Sequence, residues 1–378
     1  MSRIDKLIAD LCPEGVEFRT LKSLARRSKG TSITAARMKA LSRPSGEIRV
    51  FAGGKTFADV DASAIPSGDV ITTPSIIVRS RGNIDFTYYD KPFSHKSEIW
   101  SYSTSQPDVE QRFIYYYLTT LTSHLQEVAR ATSVKLPQLA VKDTDLLRIP
   151  VPPLEVQREI VRVLDKFTQL EAELEAELEA RHHQYKYYQK TLLTPADKSY
   201  HTASLGELFE LRAGKFISAT LITPERDAEH PIPCFGGGGL RGYVSSHNQN
   251  GDLVLIGRQG ALCGNVKRAS GKFYATEHAV VVSPKSAVDI RWAFHLLSHM
   301  NLNQYASKSA QPGLSVNMLK QLSVPVPPFP VQVATASILD KFDSLVNDLS
   351  IGLPAELEAR RKQYEYYRDR LLTFEEKR

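Results

Sequence analysis

The sequence predicts an α+β chain: two related heads joined by two long helices packed as an antiparallel coiled coil. Three observations carry that expectation. A helical text occurs twice, since IPVPPLEVQREIVRVLDKF at 149–167 returns as VPVPPFPVQVATASILDKF at 324–342, and ELEARHHQYKYYQKTLLT at 177–194 returns as ELEARRKQYEYYRDRLLT at 356–373. Two longer segments between the copies resemble each other only faintly. Charge divides the same way. Residues 14–148 hold 19 Lys+Arg against 14 Asp+Glu and residues 199–323 hold 12 against 8, whereas 151–198 and 324–378 are acidic, 7 against 9 and 8 against 9. Basic heads on an acidic holder fit a polyanionic ligand at the heads and not along the holder.

The expected organisation is a first head over 1–150 with a short N-terminal helix, a central helical region over 151–198, a second head over 199–323 and a distal helical region over 324–378. The start, MSRIDKLIADLC, carries charges where a signal peptide would be apolar. Its amphipathic stretch is expected to cap the end of the C-terminal rod, giving a pseudo-two-fold, nearly circular arrangement. The heads share Leu21–Leu24 with Leu205–Leu208, Ile48–Gly54 with Ile232–Gly238, and Gly68–Ile71 with Gly251–Val254. Short runs such as VITTPSIIV, DLVLIG and HAVVVSP read as strands, followed by helices around 109–125 and 288–300.

The central rod follows from its period. Ile160, Leu164, Phe167, Glu171, Leu174, Leu178, Arg181, Tyr185, Tyr188 and Leu192 alternate steps of four and three, a heptad seam bounded by Pro152–Pro153 and Pro195. Some 39 residues at about 1.5 Å each make a rod of roughly 58 Å. The distal copy repeats the seam with Leu339, Phe342, Val346, Leu349, Leu357, Tyr364, Tyr367 and Leu371, but with four extra residues at IGLP. Such an insertion unwinds a coiled coil locally, and Gly352 with Pro354 predicts a kink or short break there.

Composition excludes several classes. With 378 residues, 24% charged and 42% hydrophobic, the chain is an ordinary globular one. No apolar run approaches the roughly 20 residues of a membrane span. Cys12, Cys234 and Cys263 have neither disulfide-framework nor zinc-knuckle spacing, so a cytoplasmic protein with reduced thiols is expected. Gly54-Lys55-Thr56 ends like a phosphate loop, but Arg49 stands where the upstream glycine belongs. His295 and His299 share a helix face without a third ligand, which favours packing over metal. The glycine runs Phe51–Gly54 and Phe235–Gly239 lie in no βαβ unit. No catalytic constellation is found, and no bound cofactor or metal is expected.

The duplicated PxPPxxxQ…LDKF and QYxYY texts, with LCPEGVEFRTL and GDLVLIGRQGALCGNV, resemble the DNA-specificity subunit of type I restriction–modification systems over essentially the whole chain. The resemblance implies a non-catalytic subunit. Each head reads one half of a bipartite site in double-stranded DNA, and the helices act as a ruler holding two methylation subunits. Two restriction subunits join in the full complex. S-adenosylmethionine, ATP and Mg2+ belong to those partners. Half-sites on one DNA face lie about 34 Å apart, within reach of the rod.

Candidate DNA contacts sit in loops where small residues permit close approach: Lys55, Thr73, Ser75, Arg79, Arg81, Asn83, Lys135 and Gln138 in the first head, and Arg241, Tyr243, Arg258, Gln259, Asn265, Lys267 and Gln311 in the second. Lys22, Arg26 and Arg27 read instead as a helix surface. The glutamate run containing Glu171 and Glu175 reads as a solvated face or a methylation-subunit contact, and Tyr187 and Tyr366 join the candidate partner contacts. A protein-binding coiled-coil scaffold without DNA specificity is the alternative reading of the same pattern.

Overall fold

The computed structural model describes residues 3–131, 135–194, 200–285, 287–307 and 312–377. It forms two compact units: residues 1–173 with 358–378, and residues 174–357. Each unit therefore holds one head and portions of both helical regions.

In the first unit, β1 (Glu17–Thr20) pairs with β9 (Arg148–Val151) and closes the base of the head. Strands β2 (Arg26–Ser28), β5 (Ser75–Arg79), β6 (Asp85–Tyr89) and β8 (Trp100–Ser103) make an antiparallel sheet in the order β2-β8-β5-β6. A second sheet, β4-β3-β7, joins β3 (Ile48–Phe51), β4 (Phe57–Val60) and β7 (Phe93–His95), with β3 and β7 parallel. All five residues of β5 are buried. Ile76 and Val78 face Leu21, Trp100, Tyr102 and Ile114, while Ile77 faces Phe51, Phe93 and Ile99. A strand covered on both faces reads as a continuous apolar run, which explains VITTPSIIV.

The second unit repeats this plan. β10 (Thr202–Ser204) pairs with β19 (Ser323–Pro325). β11 (Phe209–Ala213), β15 (Leu253–Gly257), β16 (Val266–Ala269) and β18 (Ala279–Pro284) form a sheet ordered β11-β18-β15-β16. β12 (Ile232–Gly236), β13 (Gly239–Val244), β14 (Gln249–Asn250) and β17 (Lys272–Ala275) form a sheet ordered β13-β12-β17-β14, with β12 and β17 parallel. The faint kinship of the heads is thus a shared topology.

The central helix runs over Leu154–Leu193, and the distal text forms two helices, Phe329–Asn347 and Leu353–Leu371. The break falls at the four-residue insertion. Asp348 Oδ1 caps the turn by accepting Ser350 N at 2.7 Å, and a Cβ on Gly352 would lie 2.5 Å from Ser344 O. In the first unit Phe167 stacks on Tyr367 at 5.5 Å and Glu171 pairs with Arg361 at 2.7 Å, so the two helices run antiparallel. In the second unit Phe342 stacks on Tyr188 at 5.1 Å and on Tyr185 at 6.2 Å. The phenylalanine of each LDKF therefore meets the tyrosines of the other copy's QYxYY.

The remaining repeated residues tie helix to head. Buried Gln157 donates to the carbonyls of Pro152 (2.7 Å) and Asp108 (2.9 Å) and accepts Glu110 N–H at 2.8 Å, ahead of the head helix Gln111–Thr120. Gln332 donates to Pro327 O at 2.9 Å and accepts Asp289 N–H at 3.0 Å, ahead of the head helix Ile290–His299. Asp165 accepts from Tyr116 at 2.5 Å and Arg112 at 2.7 Å; Asp340 pairs with His295 at 2.8 Å. Burial and the neighbouring Asp165 carboxylate push the Tyr116 phenol up to about 12. His295 is a packing residue between Asp340 and Tyr185.

The N-terminal helix Arg3–Leu11 buries Ile4 among Leu371, Leu372 and Phe113, and Asp5 pairs with Arg370 at 3.2 Å. Val16 N donates to Glu375 O at 2.9 Å and Lys377 N to Val16 O at 2.8 Å, so both ends of the described chain meet within one unit.

Candidate nucleic-acid interface

The β5–β6 turn and the β15–β16 loop each pair with a segment downstream of the head helix, through the same backbone bonds. In the first head Leu139 N donates to Ser80 O at 2.8 Å and Gly82 N to Pro137 O at 2.8 Å, bridging Arg81 to Gln138. In the second head Leu314 N donates to Arg258 O at 2.9 Å and Gly260 N to Pro312 O at 3.0 Å, bridging Gln259 to Gly313. Gly82 and Gly260 both take φ +82, a left-handed conformation that favours glycine. Between these fixed bonds the outward residue is Arg81 in one head and Gln259 in the other, both exposed.

The first head brings Arg81, Asn83, Lys135 and Gln138 to this loop pairing, all exposed. Lys55 is exposed at the β3–β4 turn and Thr73 is exposed before β5. Two candidates lie elsewhere. Ser75 is fully buried and donates to Thr73 O at 2.9 Å. Arg79, 8% exposed, donates to Gly54 O and to Thr87 Oγ1 at 3.0 Å, with its guanidinium 5.5 Å from the Phe51 ring centre. Burial lowers its pKa. Arg79 is a clasp between the β3–β4 turn and β6, not an outward reader.

Arg26 and Arg27 form strand β2, where a helix surface was expected; the helix ends at Leu24. With Lys29, Asp69 and Thr73 they line a cleft of about 630 Å3. The missed signal is Gly30. It stands at the same distance from Leu21 as Gly214 from Leu205, and a Cβ at either would run into the strand carbonyls of His95 or Ala275.

In the second head Gln259, Arg241 and His278 meet Gly236–Gly239 and Leu262 around a cleft of about 630 Å3. A Cβ on Gly237 would lie 3.1 Å from His278 O and 3.2 Å from Gln259 O. The glycine run therefore lets the hairpin close onto the loop. Lys267 is exposed on β16, while half-buried Asn265 donates to Gly238 O at 3.2 Å. Arg258 is half-exposed, with its Nε buried and unpartnered. Tyr243 is half-buried, its backbone exchanging hydrogen bonds with Thr223 at 2.8 and 3.0 Å. Gln311 lies outside the described residues.

On the helices Glu171 is engaged by Arg361, and Glu175 lines a shallow recess with Leu178, His182 and Leu357. Tyr187 and Tyr366, equivalent in the two QYxYY texts, are 64% and 62% exposed. Among the described residues no helix is long and apolar enough to cross a membrane, and no group of three His, Cys, Asp or Glu could hold a metal ion.

Comparison with known proteins places this geometry in a family. The model of the type I restriction modification DNA specificity domain matches twice, over residues 13–180 and 198–359. The EcoprrI specificity subunit of Escherichia coli is 46% identical over 250 residues, covering 63% of this chain and 62% of that protein, so the match spans less than two thirds of that relative. The EcoR124I/EcoR124II specificity subunit of Escherichia coli is 30% identical over 324 residues, covering 77% of this chain and 79% of that one. The fold is similar to the crystal structure of a type I restriction–modification S subunit from M. genitalium, with a TM-score of 0.68 at 19% identity over 95% of this chain and 96% of that one. With two domain matches over most of its length, the chain belongs to the DNA-specificity subunit family of type I restriction–modification systems.

Proposed function

We propose that the chain is the non-catalytic, sequence-reading subunit of a cytoplasmic type I restriction–modification complex, and that each head contacts one half of a split, asymmetric site in double-stranded DNA. One observation carries this reading. The loop pairings of the two heads share backbone hydrogen bonds but differ in the side chains they hold outward. A fixed frame with exchangeable polar and basic side chains is what base readout by two readers of different specificity requires. The proposed contact set is Arg81, Asn83, Lys135, Gln138, Lys55 and Thr73 in the first head and Gln259, Arg241, Arg258, Asn265 and Lys267 in the second.

The helices would set the distance between half-sites and dock two methylation subunits, with exposed Tyr187 and Tyr366 as contacts related by the repeat. Two restriction subunits would complete the assembly. S-adenosylmethionine, ATP and Mg2+ would act in those partners, the methyl group passing to an adenine that the methylation subunit extrudes from the duplex. Replacing residues 199–323 with the second head of another family member should change one half of the methylated sequence and leave the other as it was. Unchanged methylation at both halves would refute the assignment.

A further inference from the structure

His278 stands between two acceptors beside the loop pairing of the second head. Its carbonyl accepts Arg258 N–H at 2.9 Å, which holds it opposite the residue preceding Gln259. Its Nδ1 lies 2.6 Å from Gln259 Oε1, and its Nε2 lies 3.2 Å from the Glu277 carboxylate. A carbonyl oxygen only accepts, so the ring meets Gln259 with its Nδ1–H. The oxygen of the exposed Gln259 amide is thereby tied inward, and its NH2 is left facing out.

Glutamine ordinarily reads a base with both ends of its amide, accepting from adenine N6 while donating to N7. An amide whose oxygen is turned toward His278 presents its NH2 donors outward. Guanine, with N7 and O6 both accepting, is the base edge that fits two donors best. The first head holds Arg81 at the equivalent place, a side chain that carries donors only. Glutamine reaches the same polarity once its oxygen is engaged.

We infer that His278 is a positioning residue that fixes the polarity of Gln259, so that the second head reads an acceptor-only base edge, guanine foremost, at one position of its half-site. The inference rests on the DNA-reading function proposed above. The complex of this chain with its methylation subunits is titrated with duplexes carrying each base pair in turn, and with 7-deazaguanine in place of each guanine. In the unaltered complex one 7-deazaguanine should weaken binding roughly fivefold to tenfold, on the order of one hydrogen bond to a base edge. Gln259→Ala should abolish that sensitivity. His278→Ala should let the amide turn, so that adenine is tolerated at the same position to within about twofold, with the other half-site unaffected. His278→Asn, which keeps an N–H donor, should restore part of the guanine preference.

If Gln259→Ala changes the preference at one position but His278→Ala changes it nowhere, the positioning role is overturned while DNA reading stands. If Gln259→Ala, Arg241→Ala and Lys267→Ala all leave affinity and its salt dependence untouched, the interface itself is overturned.

Discussion

The buried glutamine of the repeated PxPPxxxQ text should be worth more in the first unit than in the second. Gln157 makes three hydrogen bonds, to Pro152 O, Asp108 O and Glu110 N, and Gln332 makes two, to Pro327 O and Asp289 N. Each glutamine accepts the backbone N–H of the N-cap residue of its head helix, a capping bond supplied by another helix. Leaving one such buried group unsatisfied costs about 1–3 kcal/mol, and each further lost bond about 1. Gln157→Ala should therefore destabilise the docking of its head helix by about 3 kcal/mol and Gln332→Ala by about 2. Amide hydrogen exchange reads the two units separately. Protection of Phe113 and Ile114 should fall about 150-fold with Gln157→Ala, and that of Ala293 about 30-fold with Gln332→Ala, each leaving the other unit unchanged. Gln157→Met, which keeps the volume, separates bonding from packing. Wild-type protection in Gln157→Met, or equal loss in both units with Gln157→Ala, would refute the reasoning.

Three further predictions concern the heads. Gly257→Ala should cost several kcal/mol in the second head, because its Cβ would run into the Gly237 carbonyl where both neighbours are backbone; methylation directed by that half-site should be lost while thermal unfolding of the first unit is unchanged. Lys267→Ala should weaken DNA binding nearly uniformly across sequences and reduce the slope of log affinity against log salt by about 1, as for a lost phosphate contact; an unchanged slope would remove Lys267 from the interface. Burial lowers His95 and His295 below their ordinary 6.5. The unfolded chain then binds protons first, so the stability these groups contribute is complete above pH 6.5 and is lost as pH falls below it toward the folded values. Urea midpoints between pH 8 and 5 should fall for this reason, and His95→Asn should flatten the first unit's share; an unaltered pH slope would count against it.

The helical holder was legible because a heptad seam and an insertion are local patterns. The seam placed Phe167, Tyr185 and Tyr188 correctly at helix contacts, and Gly352 with Pro354 marked the break between Asn347 and Leu353. The heads were legible as strand-rich domains but not in their burial. Ser75 and Arg79 occupy the ends of a strand covered on both faces, where period two gives no sign of which polar residues point inward. Arg79 is held there by Gly54 O, which a reading of its immediate sequence cannot supply. The candidate loops were found, but their pairing was not. It joins residues distant in sequence, Gly82 to Pro137 and Gly260 to Pro312, so no local pattern marks it.

That pairing explains how one scaffold can carry two different heads. Gln157 and Gln332 bind backbone carbonyls and N–H groups, which every sequence provides, so the same glutamine serves heads of unlike composition. The loop frame is likewise built from backbone donors and acceptors with a left-handed glycine, and it places no demand on the side chain held outward. Where side chains must match, they differ together: Asp165 meets Arg112 and Tyr116, while Asp340 meets Arg291 and His295. The outward positions are therefore the places in each head where a substitution alters the proposed readout at the least cost to the fold. Arg81 and Gln259 occupy equivalent places on this frame, and what each can offer a base edge is set by the side chain itself and by neighbours such as His278, not by the frame.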